Sequence, residues 1–170
     1  MTSAEEKYAD ALASSITSSL ERDPVRGDLS RLIIRWFEGP DYLTIHALGT
    51  EDERDVPNDD AWYPLEWPNV EHEIDRVDAV MQDETLTGAI EVLAAEVGED
   101  GWSWDEQPQP LIATAQKVRE LVESTGIPTA SHFAVGVSHF EGWGAEDSVP
   151  RANPQATLAQ LEEQDLLPDE

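Results

Sequence analysis

Apolar residues recur at intervals of three and four along several segments of the chain, which predicts amphipathic helices. The first predicted helix begins with a capping box formed by Ser3 and Glu6, and it ends at Asp23-Pro24. The apolar face of this helix comprises Tyr8, Ala9, Leu12, Ala13, Ile16 and Leu20.

Four more helices are predicted further along the chain. Two of them cover about 71–81 and 84–97, and the second has the most regular apolar spacing and a C-terminal stop at Gly98. The next helix ends at Gly126, and the last begins at Asn153-Pro154, where Asn is the expected cap.

Runs of β-branched and aromatic residues predict three strands, over 31–37, 42–48 and 132–140. The first two are joined by Glu38-Gly39-Pro40-Asp41, which is typical of a hairpin turn. Gly136 lies in the middle of the third strand and predicts the close packing of a helix against it.

Condensed to its main elements, this pattern has the order α-β-β-α-α-β-α. It predicts a single α+β domain over residues 1–170, in which helices pack on a small, largely antiparallel sheet. Residues 167–170 are expected to form a frayed acidic tail.

The net charge of the chain is the feature that bears most on its function. The sequence has 37 acidic and 10 basic side chains, a net charge of −27, and residues 51–110 alone hold 19 acids and 2 bases, net −17. A surface of that sign repels nucleic acid and anionic membranes and attracts basic proteins. The same excess also fits adaptation to concentrated salt, because only two of the ten basic residues are lysines.

No motif for a metal, a cofactor or a catalytic step is present in the sequence. Cysteine is absent, and none of the four histidines has a neighbour at metal-ligand spacing. His46 and His132 are expected in the sheet, satisfied by hydrogen bonds. Residues 55–66 fail as a calcium loop, because Pro57 and Asp60 occupy the third and sixth positions.

The chain shows no targeting or membrane segment. Its first residues lack the apolar core of a secretory signal, and no apolar run approaches the roughly 18 residues of a membrane span. We therefore expect a cytoplasmic protein that binds neither membranes nor nucleic acid.

Four of the six tryptophans lie in two acidic segments, 49–69 and 100–110, which are expected to be loops. Aromatic side chains beside carboxylates can anchor and steer a cationic partner. The candidate binding residues are Asp59, Asp60, Trp62, Tyr63, Glu66, Trp67, Trp102, Trp104 and Asp105. We expect these rings and acids to converge into one surface patch, although loop tryptophans also often fold back over a core.

The segment Trp62-Tyr63-Pro64-Leu65-Glu66-Trp67 and the order of the elements resemble an uncharacterised bacterial family, a domain of unknown function of the 4303 type. Members of that family are single domains of similar size with a Trp-x-Pro-x-x-Trp segment in this place. The resemblance implies no particular activity.

The sequence therefore favours a non-enzymatic acidic protein, such as an immunity protein or an inhibitor, that captures a basic protein partner. Two alternatives stay open. One is a hydrolase that uses carboxylates, with His46 or His72, in a tryptophan-lined cleft. As a glycosidase it would use Glu66 and Asp105 as acid and base. The other is a salt-adapted domain of unrelated function.

Overall fold

The structure, a computed structural model, describes residues 1–169 of the chain; Glu170 lies outside the described residues. Between residues 1 and 169 the chain forms seven helices and three strands. Their bounds are α1 Ser3–Arg22, β1 Leu29–Phe37, β2 Gly39–Gly49, α2 Thr50–Glu53, α3 Val70–Met81, α4 Glu84–Val97, α5 Gln109–Thr125, β3 Thr129–His139, α6 Ala145–Ala152 and α7 Gln155–Glu163. No helix in this part of the chain is long and apolar enough to cross a membrane.

The three strands form one sheet in the order β2-β1-β3. β1 runs antiparallel to β2, with Ile33 opposite His46, and parallel to β3, with Ile33 opposite Gly136. The predicted α+β class is confirmed. The sheet itself is mixed, because one of its two strand pairings is parallel.

The predicted helices over 71–81 and 84–97 are confirmed as α3 and α4. The structure has three more helices than the order α-β-β-α-α-β-α. The sequence pattern does not predict two of them: α2, which has only four residues, and α6, which contains Pro150. The third is α5, which confirms the predicted helix ending at Gly126 that the order omits. The predicted capping box at Ser3 and Glu6 is wrong, because Thr2 and Glu5 form it one residue earlier.

Both faces of the sheet are covered. The first face carries alternate residues of β1, including Leu32, Ile34 and Trp36, and packs against α1, α4 and α5. The second face carries Ile33 and Leu48, and the segment around Trp62 packs on it together with α6 and α7. β1 is therefore buried on both sides, and its residues are apolar except for Ser30, Arg31 and Arg35.

Side chains of α6 and the residue after it close the outer edge of β3. The Ser148 hydroxyl accepts from the Val137 amide at 2.8 Å and donates to the Val137 carbonyl at 2.7 Å. The Asn153 amide group does the same for Val135, at 3.0 and 2.8 Å. The prediction that Asn153 caps the last helix is wrong, because its side chain is used on this strand edge and Pro154 precedes α7 instead.

The outer edge of β2 is closed in the same way by α3. The Glu73 carboxylate accepts from the Ala47 amide at 3.1 Å, and the Asn69 side-chain amide donates to the Ala47 carbonyl at 2.8 Å. Glu73 is fully buried and also accepts from Arg76 Nε at 2.6 Å, while Arg76 donates to the carbonyl of Ser19 at the end of α1. This buried pair therefore links α1, α3 and β2.

The close packing predicted at Gly136 is confirmed. A methyl group at this position would lie 3.0 Å from the Trp62 ring and 3.3 Å from the Val149 side chain in α6. The absence of a side chain at Gly136 therefore allows both the indole ring and a helix to approach the sheet.

We expect Gly136→Ala to lower the free energy of unfolding by about 1–3 kcal/mol, because the added methyl group overpacks the buried Trp62 ring. Gly88→Ala is the matched control, since a methyl group there meets nothing within 4 Å and removes a glycine from the interior of α4. The control should raise stability by about 0.5–1 kcal/mol. Urea unfolding measures both, and equal shifts in the two variants would contradict the packing argument.

We expect Arg76→Met to lower the free energy of unfolding by about 3–5 kcal/mol, because it leaves the buried Glu73 carboxylate without a counter-charge. The double variant Arg76→Met/Glu73→Gln should recover more than half of this loss. Lys117→Met removes an exposed pair with Asp10 and should cost less than about 1 kcal/mol. Additive losses in the double variant would argue against the pair as the cause.

Candidate functional site

Three of the four loop tryptophans are buried rather than available to a partner. Trp62 and Trp67 are 8% and 2% exposed and pack on the second face of the sheet. Their indole N–H groups donate to the carbonyls of Leu166 and Asp60. Trp102, 9% exposed, lies on the first face, where it packs edge-on against Tyr8 and Trp36.

The expectation that the predicted rings converge into one patch is therefore wrong, because the sheet separates Trp62 and Trp67 from Trp102. The structure does bring Asp59, Trp62 and Tyr63 together around a small cavity of 170 Å³. Asp60 is half-buried nearby, and Glu66 is exposed. Trp104 and Asp105 remain exposed at a different place, the end of the sheet.

Trp104 belongs to an exposed aromatic cluster that the sequence did not indicate as a unit. We use the name aromatic patch for Phe37, Tyr42, Trp104 and Phe140. Tyr42 and Trp104 are 57% and 46% exposed, and the two phenylalanines are half-buried. The ring centroids of Phe37 lie 5.7 Å from Tyr42, 5.6 Å from Trp104 and 6.0 Å from Phe140.

The aromatic patch forms where the parallel strands β1 and β3 end side by side. Trp36 pairs with His139, and the Phe140 amide donates to the Trp36 carbonyl at 3.0 Å, so Phe37 and Phe140 emerge together. Ligands of open sheets often bind at the carboxyl ends of parallel strands. The patch therefore occupies a position that suits a binding site.

A tight turn at Glu38 brings the other two rings into the patch. Glu38 has φ 62°, and the hairpin pairs Phe37 with Gly39 directly, so the turn is shorter than the predicted four-residue Glu38–Asp41 turn. The Glu38 carbonyl accepts from the Trp102 amide at 2.6 Å. This backbone contact holds the 99–106 loop against the hairpin and places Trp104 beside Phe37.

Each aromatic residue of the patch has an exposed acidic residue next to it in the chain. The pairs are Phe37-Glu38, Asp41-Tyr42, Trp104-Asp105 and Phe140-Glu141. Within residues 1–169 none of these four carboxylates lies within 4.0 Å of a basic side chain. A cluster of aromatic rings in a locally acidic part of the chain suits a guanidinium or ammonium group, by cation–π contact and ion pairing.

A buried histidine supports the aromatic patch from beneath. The His139 ring stacks on Trp143 at 4.9 Å and contacts Trp36 and Trp104, each at 4.7 Å between ring centroids. Its Nδ1 accepts from the Glu141 amide at 3.2 Å, so the proton of the neutral ring lies on Nε2. Burial lowers the pKa of His139, which favours this neutral form.

The second face of the sheet carries a polar row beside the aromatic patch. Arg35 is flanked by Thr44 on β2 and by Ser138 on β3, and His46 follows two residues along β2. The prediction that His132 is satisfied by a hydrogen bond is confirmed, because its Nε2 lies 2.8 Å from the Glu53 carboxylate. The prediction of a satisfied His46 is wrong. Burial, with Arg35 nearby, lowers the pKa of His46 to about 4.

A groove of 530 Å³ between α1 and α4 is the other notable concave surface. Small side chains line most of it, including Ala11, Gly88 and Ala89, and Lys7 lies at its border. It has no aromatic wall, so it offers less to a cationic ligand than the aromatic patch does.

Comparison with protein-family models, with curated proteins and with solved structures finds no match for this chain. The resemblance through Trp62, Pro64 and Trp67 therefore stays a prediction. The candidate site rests on the geometry of the chain itself.

We expect acid to destabilise the protein partly through His46. The folded-state pKa of about 4 lies below the unfolded value of about 6.5, so only the unfolded chain takes up this proton between those pH values. Stability should fall by about 3 kcal/mol from this residue as the pH drops from 6.5 to 4.

Urea unfolding of the wild type and of His46→Gln from pH 7 to pH 4 measures this contribution. The stability difference between the two proteins should shrink or invert towards low pH. His72→Gln, which replaces a half-exposed ring, should keep the acid-induced loss of the wild type. A constant difference between the wild type and His46→Gln would show that His46 does not cause the effect.

Proposed function

We propose that this protein binds a basic protein partner through the aromatic patch and its four adjacent carboxylates, in the manner of an immunity protein or an inhibitor. The observation that carries the proposal is the cluster of four aromatic rings at the end of the sheet, in which each ring has next to it in the chain an exposed acid without an ion pair within residues 1–169. Rings supply contact energy, and the carboxylates supply attraction and specificity for cations.

The placement of the basic residues adds to this argument. Arg31, Arg35 and Arg76 are buried, at 1%, 6% and 2% exposure, so three of the ten basic side chains contribute little to the surface. Asp52 and Glu73 are buried as well, so the surface carries essentially the whole acidic excess of the chain. Long-range attraction of this kind accelerates encounter with a basic partner and weakens as salt is added.

The hydrolase alternative loses its main structural requirement. It needs the two tryptophan segments to line one cleft, with Glu66 and Asp105 facing each other. Trp62 and Trp67 pack on the opposite face of the sheet from Trp102, and both carboxylates are exposed in separate loops. We do not propose this function.

We expect Trp104→Ala to weaken the binding of an arginine-rich peptide about 30-fold, because exposed aromatic anchors dominate interfaces of this kind. Ile74→Ala is the control, since Ile74 is 54% exposed, similar to the 46% of Trp104, but lies on α3. Isothermal titration at low salt measures both affinities. Equal losses, or no loss in Trp104→Ala, would refute the patch as the docking surface.

A charge-matched pair of variants separates local recognition from general attraction. Asp41→Asn/Glu141→Gln removes two acids beside the patch, whereas Glu71→Gln/Asp75→Asn removes two exposed acids from α3. Only the double variant Asp41→Asn/Glu141→Gln should strongly reduce both the affinity for the peptide and its salt dependence. A salt-adapted domain of unrelated function would respond equally to both pairs, and it would fold cooperatively only in molar salt.

A further inference from the structure

Arg35 differs from the other buried arginines in how its charge is compensated. Arg31 pairs with Glu53, and Arg76 pairs with Glu73. Arg35 has no carboxylate oxygen within 4.0 Å among residues 1–169, although the chain holds 37 acids. A buried charge without a counter-charge is costly, which makes such a group a candidate for a functional site.

The protein partners of Arg35 leave most of its donors unused. Nη2 donates to the Phe140 carbonyl at 2.8 Å, and the guanidinium carbon lies 4.7 Å from the centroid of the Phe140 ring. A guanidinium has five N–H donors in a planar fork, which matches the two oxygens of a carboxylate. The side chain of Arg35 is thus held in place by Phe140 with its charge uncompensated.

Two further polar side chains on the same face have buried atoms without partners. Thr44 pairs with Arg35 across the strands, and its Oγ1 makes no hydrogen bond within the described residues. Both ring nitrogens of His46, which is 97% buried, are also without a partner there. Because His46 is neutral at pH 7, its ring offers one N–H donor beside the hydroxyl of Thr44 and the guanidinium.

We propose that Arg35, Thr44 and His46 form a binding site for a carboxylate group, on the second face of the sheet next to Phe140. One guanidinium balances one negative charge, so the site suits a monoanion better than a phosphate dianion in a chain of this net charge. Thr44 is half-buried and its neighbour Tyr42 is exposed, so the ligand enters beside Tyr42. The carboxylate belongs either to a free organic acid or to the C-terminus of a peptide.

The test is an NMR titration of the protein with sodium benzoate, sodium phosphate or sodium chloride at equal ionic strength. The signals measured are the Nε–H of Arg35 and the backbone amide of Thr44. Benzoate should shift both signals saturably, while phosphate should do no more than chloride. A short peptide with a free C-terminus, compared with its amidated form, distinguishes the two sources of the carboxylate. The absence of a saturable shift with benzoate and with both peptides, or a stronger response to phosphate, would overturn the proposal.

Variants then assign the site to these residues. Arg35→Met and Thr44→Val should each weaken the benzoate or peptide response, the first by about tenfold or more because it removes a charge-assisted pair. Arg54→Met, which removes an exposed arginine, should change nothing. If Arg35→Met does not fold, the response of Thr44→Val and the wild-type titration test whether these residues form the site. Trp104→Ala should retain the response to benzoate. The carboxylate site can therefore fail or hold independently of the proposed docking surface.

Discussion

A three-stranded sheet has one central strand and two outer strands, each with an open edge. The rest of the structure depends on how these two edges are closed. β1 uses its backbone groups on both sides, but β2 and β3 each expose an outer edge that would otherwise template aggregation. Ser148 and Asn153 bond to the edge of β3, and Glu73 and Asn69 bond to the edge of β2. The helices that carry these side chains are thereby fixed in position, and with them the covers of both faces.

The closure of the β2 edge also explains where part of the scarce positive charge is spent. A carboxylate at a buried strand edge requires a counter-charge, and Arg76 supplies it for Glu73. Arg31 neutralises Glu53 in the same way beside the second face. Each pair takes an acid as well as a base out of the surface. The internal ion pairs therefore stabilise the fold without changing the net charge of the surface.

The sequence predicts the features that local periodicity determines and misses those that depend on distant pairing. α4 could be located from Leu86, Leu93 and their neighbours, and Gly136 indicated close packing, because both patterns are local. The parallel pairing of β1 with β3 spans α2 to α5, and no local pattern indicates it. Phe37 and Phe140 therefore could not be assigned to one site, whereas Trp104 and Asp105 could be singled out from their acidic loop. The burial of Trp62 depends on a carbonyl at Leu166, which is equally distant in sequence.

Residues of opposite charge lie close to Phe140 at the end of β3. Phe140 has the exposed carboxylate of Glu141 next to it in the chain, while the Arg35 guanidinium lies against its ring from the sheet. Glu141 could have neutralised Arg35 if its side chain had turned inwards, as Glu53 does for Arg31. It is exposed instead, and its backbone amide donates to His139. The acids at this end of the sheet lie outside, and one cation that no carboxylate of residues 1–169 compensates lies inside. The two proposals together therefore call for a partner that carries both a basic group and a carboxylate.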